Sequence, residues 1–403
     1  VSAGWRISRE DFFSSNELIT DLKIRASYGV TGDQEIGNFQ NISFWQPGRY
    51  LGLSGLRPRN LADPNLTWQS NRSLNIGIDF EILRGRISGS VDYFKSNKTN
   101  LLSNDIIPGT TGFATITRNR GEILNRGLEF AVSTVNINKG KFRWNSNFNL
   151  TFLHNEIIDL TNNGLLISAY SDISPTHVLK KGEALGTFWA VKYAGVDPQN
   201  GDAMYYNLNG DKVPASEITN DDAQIAGKAT PDYFGGFNNT INVGNFDFLI
   251  ATQFSVGNKI YNLIKATYLN MGWSNDGGLD QVYANNSVEV LKRWKKPGDI
   301  TSIPRASFIN QNFVENSTQF IEDGSFLRIR TVTAGYNIQP KNQSWFTNIR
   351  LYAQVQNLFV FTRYSGFDPE VSSTGSTDPR TAGVDYAAYP QPRTYMFGLN
   401  LSF

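Results

Sequence analysis

Enzymatic chemistry needs particular side chains at particular spacings, and this sequence supplies few of them. His154 and His177 are its two histidines, and no H-E-x-x-H spacing joins them. There is no cysteine, so disulfides and thiolate nucleophiles are excluded. Neither a G-x-S-x-G elbow nor a phosphate-cradling P-loop occurs. Asp221 and Asp222 are neighbouring acids in a polar stretch, a pattern read as solvated surface. Asn207, Asn209 and Asp211 alternate as the oxygen ligands of a calcium loop do. Asn207 replaces the first acid, however, and Lys212 stands where such a loop needs glycine. No glutamate occupies the twelfth position either, so a polar turn is favoured over Ca²⁺ and no cofactor is expected. The sequence does not read as an enzyme.

The chemistry that remains is recognition by flat rings. Phe44, Trp45, Tyr50, Trp189, Tyr193, Trp273, Trp294 and Tyr364 lie in or beside long connecting segments. Such rings stack on cargo or meet a partner protein; the competing role is packing within the segments themselves. Arg49, Arg57 and Arg59 cluster beside Trp45 and Tyr50, where they bind an acidic group or stay solvated.

Composition narrows what could position these residues. Over 403 residues, 37 Lys and Arg balance 36 Asp and Glu, so nothing favours nucleic acid. Aromatic residues make up 13% of the chain, yet mean hydropathy is only −0.34. No run approaches the roughly 20 apolar residues of a membrane helix. A barrel strand is still allowed, because alternation hides its apolar face. Val1 follows no signal-like segment, and "GWRIS" reads as the end of a strand already under way. The chain is therefore expected to be the C-terminal part of a longer protein.

Period two dominates. Ile24, Ala26, Tyr28 and Val30 alternate with polar or small residues, as do Leu74, Ile76, Ile78 and Phe80. In "FRWNSNFNLTF", Phe142, Trp144, Phe148, Leu150 and Phe152 share one face, opposite Arg143, Asn145, Asn147 and Asn149. Similar patterns cover 87–93, 128–133, 231–243, 246–256, 325–338, 348–361 and 392–403, with a phase slip near Arg330 that predicts a β-bulge. Connections are short near 83–86, 136–141 and 243–246 and moderate at 8–20 and 339–347. They alternate with long excursions at 32–70, 99–123, 156–230, 257–324 and 362–391. Short turns at one end and long loops at the other are the plan of a transmembrane barrel. That parity requires "TFWAVKYAGV" (187–196) to lie within an outer excursion and not to span. It leaves about ten spanning strands plus the tail of one more.

Several segments together resemble the SusC/RagA family of TonB-dependent outer-membrane transporters of Bacteroidetes. They include "DLKIRASYGVTGDQEIGNF" (21–39), "DPNLTWQSNRSLNIGIDF" (63–80), "GEILNRGLEF" (121–130), "GVDPQNGDAMYYNLNGD" (195–211), "RWKKPGDITSIPR" (293–305), "DGSFLRIRTVTAGYNI" (323–338) and "AQVQNLFVFTRYSGFDPE" (353–370). The resemblance implies an all-β fold, with residues 1–403 as the C-terminal part of an antiparallel transmembrane barrel of about 22 strands with long extracellular loops. It implies an outer-membrane location, an N-terminal plug and TonB-contacting segment outside this chain, and a SusD-like surface lipoprotein as lid. Cargo would be an oligosaccharide or, in some members, an oligopeptide. On this reading Trp45, Tyr50, Trp189, Tyr193, Trp273, Trp294 and Tyr364 are candidates for cargo or lid contact. Leu399, Leu401 and Phe403 would form the C-terminal barrel-assembly signal. The alternatives are a passive porin of similar architecture and a soluble all-β binding protein.

Overall fold

A computed structural model describes residues 1–13, 18–33, 39, 41–160, 165–168, 175–271, 285–307, 312–340, 345–370 and 378–403. Trp273 lies outside the described residues. Eleven strands form one sheet: β1 (Ser2–Arg6), β2 (Ile19–Asp33), β3 (Gln69–Ile82), β4 (Ile87–Thr99), β5 (Glu122–Lys139), β6 (Phe142–Asp159), β7 (Tyr233–Val243), β8 (Phe246–Val256), β9 (Phe326–Ile338), β10 (Asn348–Thr362) and β11 (Thr394–Ser402). Order in the sheet equals order in the chain, so each strand pairs with its sequence neighbours. This is the ten-plus-one arrangement that the alternation predicted. From β2 to β11 the strands run from 9 to 18 residues, long enough for a tilted crossing of a bilayer, which takes about 9–11.

Two-residue turns at Gly140 and Gly244 join β5 to β6 and β7 to β8; both glycines have positive φ, at 59° and 61°. Such a turn follows the right-handed strand twist only when a residue can adopt that conformation without a Cβ clash. The expected bulge is present. Between β9 and β10 the register slips between Ile329 and Thr331, opposite Asn357, which itself has φ of 51°.

The chain divides into two compact units: Val1–Asn136 with Asn147–Leu165 and Lys180–Ala184, and Ile137–Ser146 with Leu166–Leu179 and Leu185–Phe403. In each, one face of the strands is an exposed apolar row. Ile24, Tyr28, Ile76, Ile78 and Leu128 belong to the first unit, and Phe246, Phe248, Ile250, Leu351, Phe397 and Leu399 to the second. A row of that extent is incompatible with water contact in a stable protein and suits lipid. Where a polar group falls on this face it is satisfied locally. Trp144 Nε1 and Ser146 Oγ both donate to Asn239 Oδ1, at 2.9 and 2.7 Å.

In the second unit, the long connections do not behave as separate loops. Phe188, Tyr261, Leu263, Ile303, Phe320 and Val384 come from three of them and share one buried core. Lys259–Asn262 pairs antiparallel with Ile321–Asp323 and parallel with Val384–Asp385. Val191, Ala203, Tyr205 and Ala223 form a second core. The segment 187–196 makes two short strands, Thr187–Ala190 and Lys192–Val196, in small sheets of their own. It does not join the eleven-stranded sheet, as the parity of the connections required. We refer to these co-folded connections as the cap.

Candidate functional site

The face opposite the apolar row is lined by charges that pair across strands. In the first unit, Arg25 on β2 donates to Asp79 on β3 at 3.1 Å and to Asp92 on β4 at 2.7 Å, with Asn75 at 3.2 Å. In the second, Arg350 on β10 holds Asp247 on β8 at 2.5 Å, and Asn337 Nδ2 donates to the same carboxylate at 2.6 Å. Arg25, Asp79, Asp247 and Arg350 each stand one position from an exposed apolar residue, Ile24, Ile78, Phe246 and Leu351 respectively, so the pleat that sends those side chains outward turns the charged ones inward.

The densest cluster lies where β9 meets the cap. Arg328 is 3% exposed and pairs with Asp368, itself 2% exposed; Glu370 Oε2 lies 2.6 Å from Arg328 Nε. Arg330 follows at the bulge. It donates to Gln253 Oε1 at 2.8 Å and to Glu370 Oε1 at 2.5 Å. Arg328 and Arg330 are two apart and so share a side, both reaching Glu370; the phase changes only beyond Arg330. Asp368 also accepts from the backbone N–H groups of Glu370 and Gln391, at 2.9 and 3.2 Å. One buried carboxylate thus ties both ends of the final excursion to the strand wall. Nearby, Tyr364 donates its hydroxyl to the buried Asp385 at 2.6 Å. Glu322 accepts from Lys265 Nζ at 2.9 Å and from the backbone and hydroxyl of Ser365, both at 2.7 Å. Burial opposes ionisation of Glu322, but those donors outweigh it and hold its carboxyl below the usual range.

The aromatic candidates fall in different settings. Trp45 is exposed on a hairpin of Trp45–Tyr50 and Leu53–Pro58, in which Tyr50 pairs with Leu53. Trp189 and Tyr193 pack against the second cap core. Tyr193 donates to Ser302 O at 2.9 Å, and burial raises its hydroxyl above the ordinary value. Trp294 covers Gly201 and donates to Pro198 O at 3.0 Å. Tyr364 is 5% exposed; burial first, then the Asp385 carboxylate, raise its hydroxyl. In this structure Trp189, Tyr193, Trp294 and Tyr364 therefore do packing work inside the cap, and of the aromatic candidates whose side chains are described, Trp45 alone presents most of its surface. Leu399, Leu401 and Phe403 all lie on the exposed apolar side, with the Phe403 ring 5.1 Å from that of Phe346.

Asn207, Asn209 and Asp211 form a tight turn in which Asn207 Oδ1 accepts from Asp211 N at 2.9 Å. Asp222, read above as solvated, instead closes a capping box with Thr219 and accepts from Leu208 N at 3.1 Å. Backbone donors from Thr219 and Leu208 lower its carboxyl pKa. Adjacency in sequence gave no sign that one of two acids would be recruited. His177 is fully buried, between Thr176 Oγ1 at 2.8 Å and Ala382 O at 3.0 Å. Burial pushes its imidazole pKa down to about 4.

Long antiparallel strands, apolar outside and ion-paired within, with tight turns at one end and a folded cap at the other, define the wall of an outer-membrane β-barrel. The family model described as "TonB dependent receptor-like, beta-barrel" matches residues 1–358, and the chain belongs to that family. It is an outer-membrane protein, and its family is one of transporters and not of enzymes. It is 31% identical to the TonB-dependent receptor SusC of Bacteroides thetaiotaomicron, over 100% of this chain and 40% of that one. It is 30% identical to the TonB-dependent receptor P3 of Formosa agariphila, over 99% of this chain and 41% of the relative. The chain thus spans about two fifths of the length of the curated relatives it matches. It superposes on the RagAB peptide transporter with a TM-score of 0.83 at 24% identity, covering 100% of this chain and 43% of that one. That likeness concerns the fold.

Proposed function

We propose that this chain is the C-terminal part of the barrel of a TonB-dependent importer of oligomeric nutrients, most of all oligosaccharides. The observation that carries the reading is the match to SusC along the whole of this chain at 31% identity, on a wall whose inner face is polar and self-compensated. The plug and the segment that meets TonB would come from outside these residues. A SusD-like surface lipoprotein would close over the cap, whose buried cores make it a firm seat. Trp45, Tyr50 and Trp273 remain candidates for lid or cargo contact.

The test uses the full-length protein containing this chain, expressed with its neighbouring lipoprotein. Uptake of labelled neutral oligosaccharides and of labelled oligopeptides is measured with and without TonB. Oligosaccharide uptake that requires TonB is the expected result. Uptake indifferent to TonB would make the protein a porin, and uptake of peptide alone would replace the cargo class.

A further inference from the structure

We propose that Arg72, Lys95 and Arg126 bind the phosphate-bearing headgroup of a lipid on the bilayer side of the first unit. Strand register sets the three together. Lys95 on β4 stands directly opposite Leu74 on β3 and Arg126 on β5. Arg72 on β3 stands opposite Asn97, one pleat further along, and so lies diagonal to Lys95. Opposed Cβ atoms are about 5 Å apart and diagonal ones about 7–8 Å, so side chains of this length can converge on one headgroup. The face is the apolar one: Arg72 is in phase with the exposed Ile76 and Ile78, and Arg126 with the exposed Leu128. All three cations are exposed. Lys95 and Arg126 each lie eight positions from the Ile87–Thr134 pair at the short-turn end. That is about 26 Å along a strand, or about 20 Å of depth once the strands tilt as in a barrel. An apolar band is about 25 Å tall, so the cations stand near its rim, on the side of the long connections that follow Asp33 and Thr99.

Charge selects the ligand class. On the inner face Arg25 has Asp79 and Asp92 as partners. Among the described residues, Arg72, Lys95 and Arg126 have no carboxylate within 4.0 Å. Two acids on their side of the sheet are engaged elsewhere. Glu122 Oε1 accepts from Asn97 at 2.7 Å, and Glu156 Oε2 lies 3.1 Å from His154 Nε2. Like charges directly opposite one another destabilise a sheet, and a medium less polar than water strengthens their repulsion. A bound anion relieves it. Guanidinium and ammonium groups are the usual holders of phosphate oxygens. A lipid fits better than a free ion, because Ile76, Tyr93 and Leu128 form the next row toward the bilayer centre. An acyl chain hanging from the headgroup lies along that row and buries it.

The full-length protein containing this chain, in a neutral maltoside detergent, is titrated with diphosphoryl lipid A, with phosphatidylcholine and with inorganic phosphate alone. Native mass spectrometry reads binding, and the temperature of the heat-modifiable gel shift reads stability. Lipid A should bind and raise that temperature, while the other two probes should do neither at the same concentration. Each of Arg72→Gln, Lys95→Gln and Arg126→Gln should weaken lipid A about fivefold, and the triple variant about a hundredfold. Without lipid the triple variant should be at least as heat-stable as the wild type, because a repulsion has been removed. Lys139→Gln/Lys141→Gln takes two cations from the short-turn end and should bind as the wild type does. Wild-type affinity in the triple variant overturns the site, and so does an equal loss in the Lys139/Lys141 variant. A triple variant less stable without lipid overturns the unrelieved repulsion on which the argument stands. Inorganic phosphate or phosphatidylcholine bound as tightly as lipid A overturns the assignment to a phosphorylated lipid. Loss of lipoprotein co-purification in the triple variant also overturns it, because the cations would then meet a protein.

Discussion

Replacing Asp368 with alanine should loosen the cap without dismantling the barrel. Asp368 and Arg328 are both almost fully buried, and Asp368 also holds the amides of Glu370 and Gln391. Removing one member of a buried pair costs about 3–5 kcal/mol, because the other charge is stranded. Here Arg328 keeps Glu370 at 2.6 Å, which places the cost near the lower end, about 3 kcal/mol. That amounts to about a hundredfold rise in the population of the opened cap. Hydrogen exchange on the full-length protein measures it. The amide of Tyr261 is a suitable reporter, because it donates to Gly383 O at 2.8 Å and not to the substituted side chain. Its exchange should accelerate by about the same hundredfold in Asp368→Ala. In Arg328→Met/Asp368→Leu the stranded charge is gone, while Arg330 and Glu370 keep their own pair at 2.5 Å. Exchange should return most of the way to wild type, since apolar replacement of a whole buried pair is often near neutral. A double variant as loose as the single one, or a single variant with unchanged exchange at Tyr261, would refute the reasoning.

Three further outcomes are expected. His177 has its pKa depressed to about 4 by burial, against an opposing pull from the Asp378 carboxylate, which Arg380 partners. An unfolded segment takes up that proton first, so the contribution of His177 is complete above about pH 6.5 and is lost as pH falls toward 4, by about 1.4 kcal/mol per pH unit. Exchange at the amides of His177–Leu179, corrected for the intrinsic rate, should rise between pH 6.5 and 5, and His177→Gln should flatten that slope. A Cβ at Gly127 would lie 2.1 Å from Phe152 O and 2.7 Å from the Phe94 ring; Gly127→Ala should cost about 1–3 kcal/mol through overpacking and lower the temperature of the heat-modifiable gel shift. Trp294→Ala removes the ring that covers Gly201 and the donor to Pro198. It should cost about 3 kcal/mol and open the 197–202 turn to limited proteolysis, where the wild type resists.

The sequence by itself determined the wall. Alternation at Ile76 and Ile78, or at Leu399 and Leu401, survives in the structure because a strand has one possible side-chain period. The parity of short and long connections, counted along the whole chain, placed 187–196 off the sheet. The slip at Arg330 was visible as a broken period. Tertiary structure alone decided what the polar side chains do. Arg328 and Asp368 lie 40 positions apart, and nothing in either neighbourhood names the other. The available sign was weaker: two arginines on the inward side of one strand and two acids spaced alike in "FDPE". Tyr364 and Trp294 looked like ligand platforms in sequence, but Tyr364 is buried with its hydroxyl on Asp385 and Trp294 is seated over Gly201 with its indole N–H on Pro198 O. Periodicity is written in the backbone geometry of each strand, whereas exposure depends on which distant segments arrive to cover a ring.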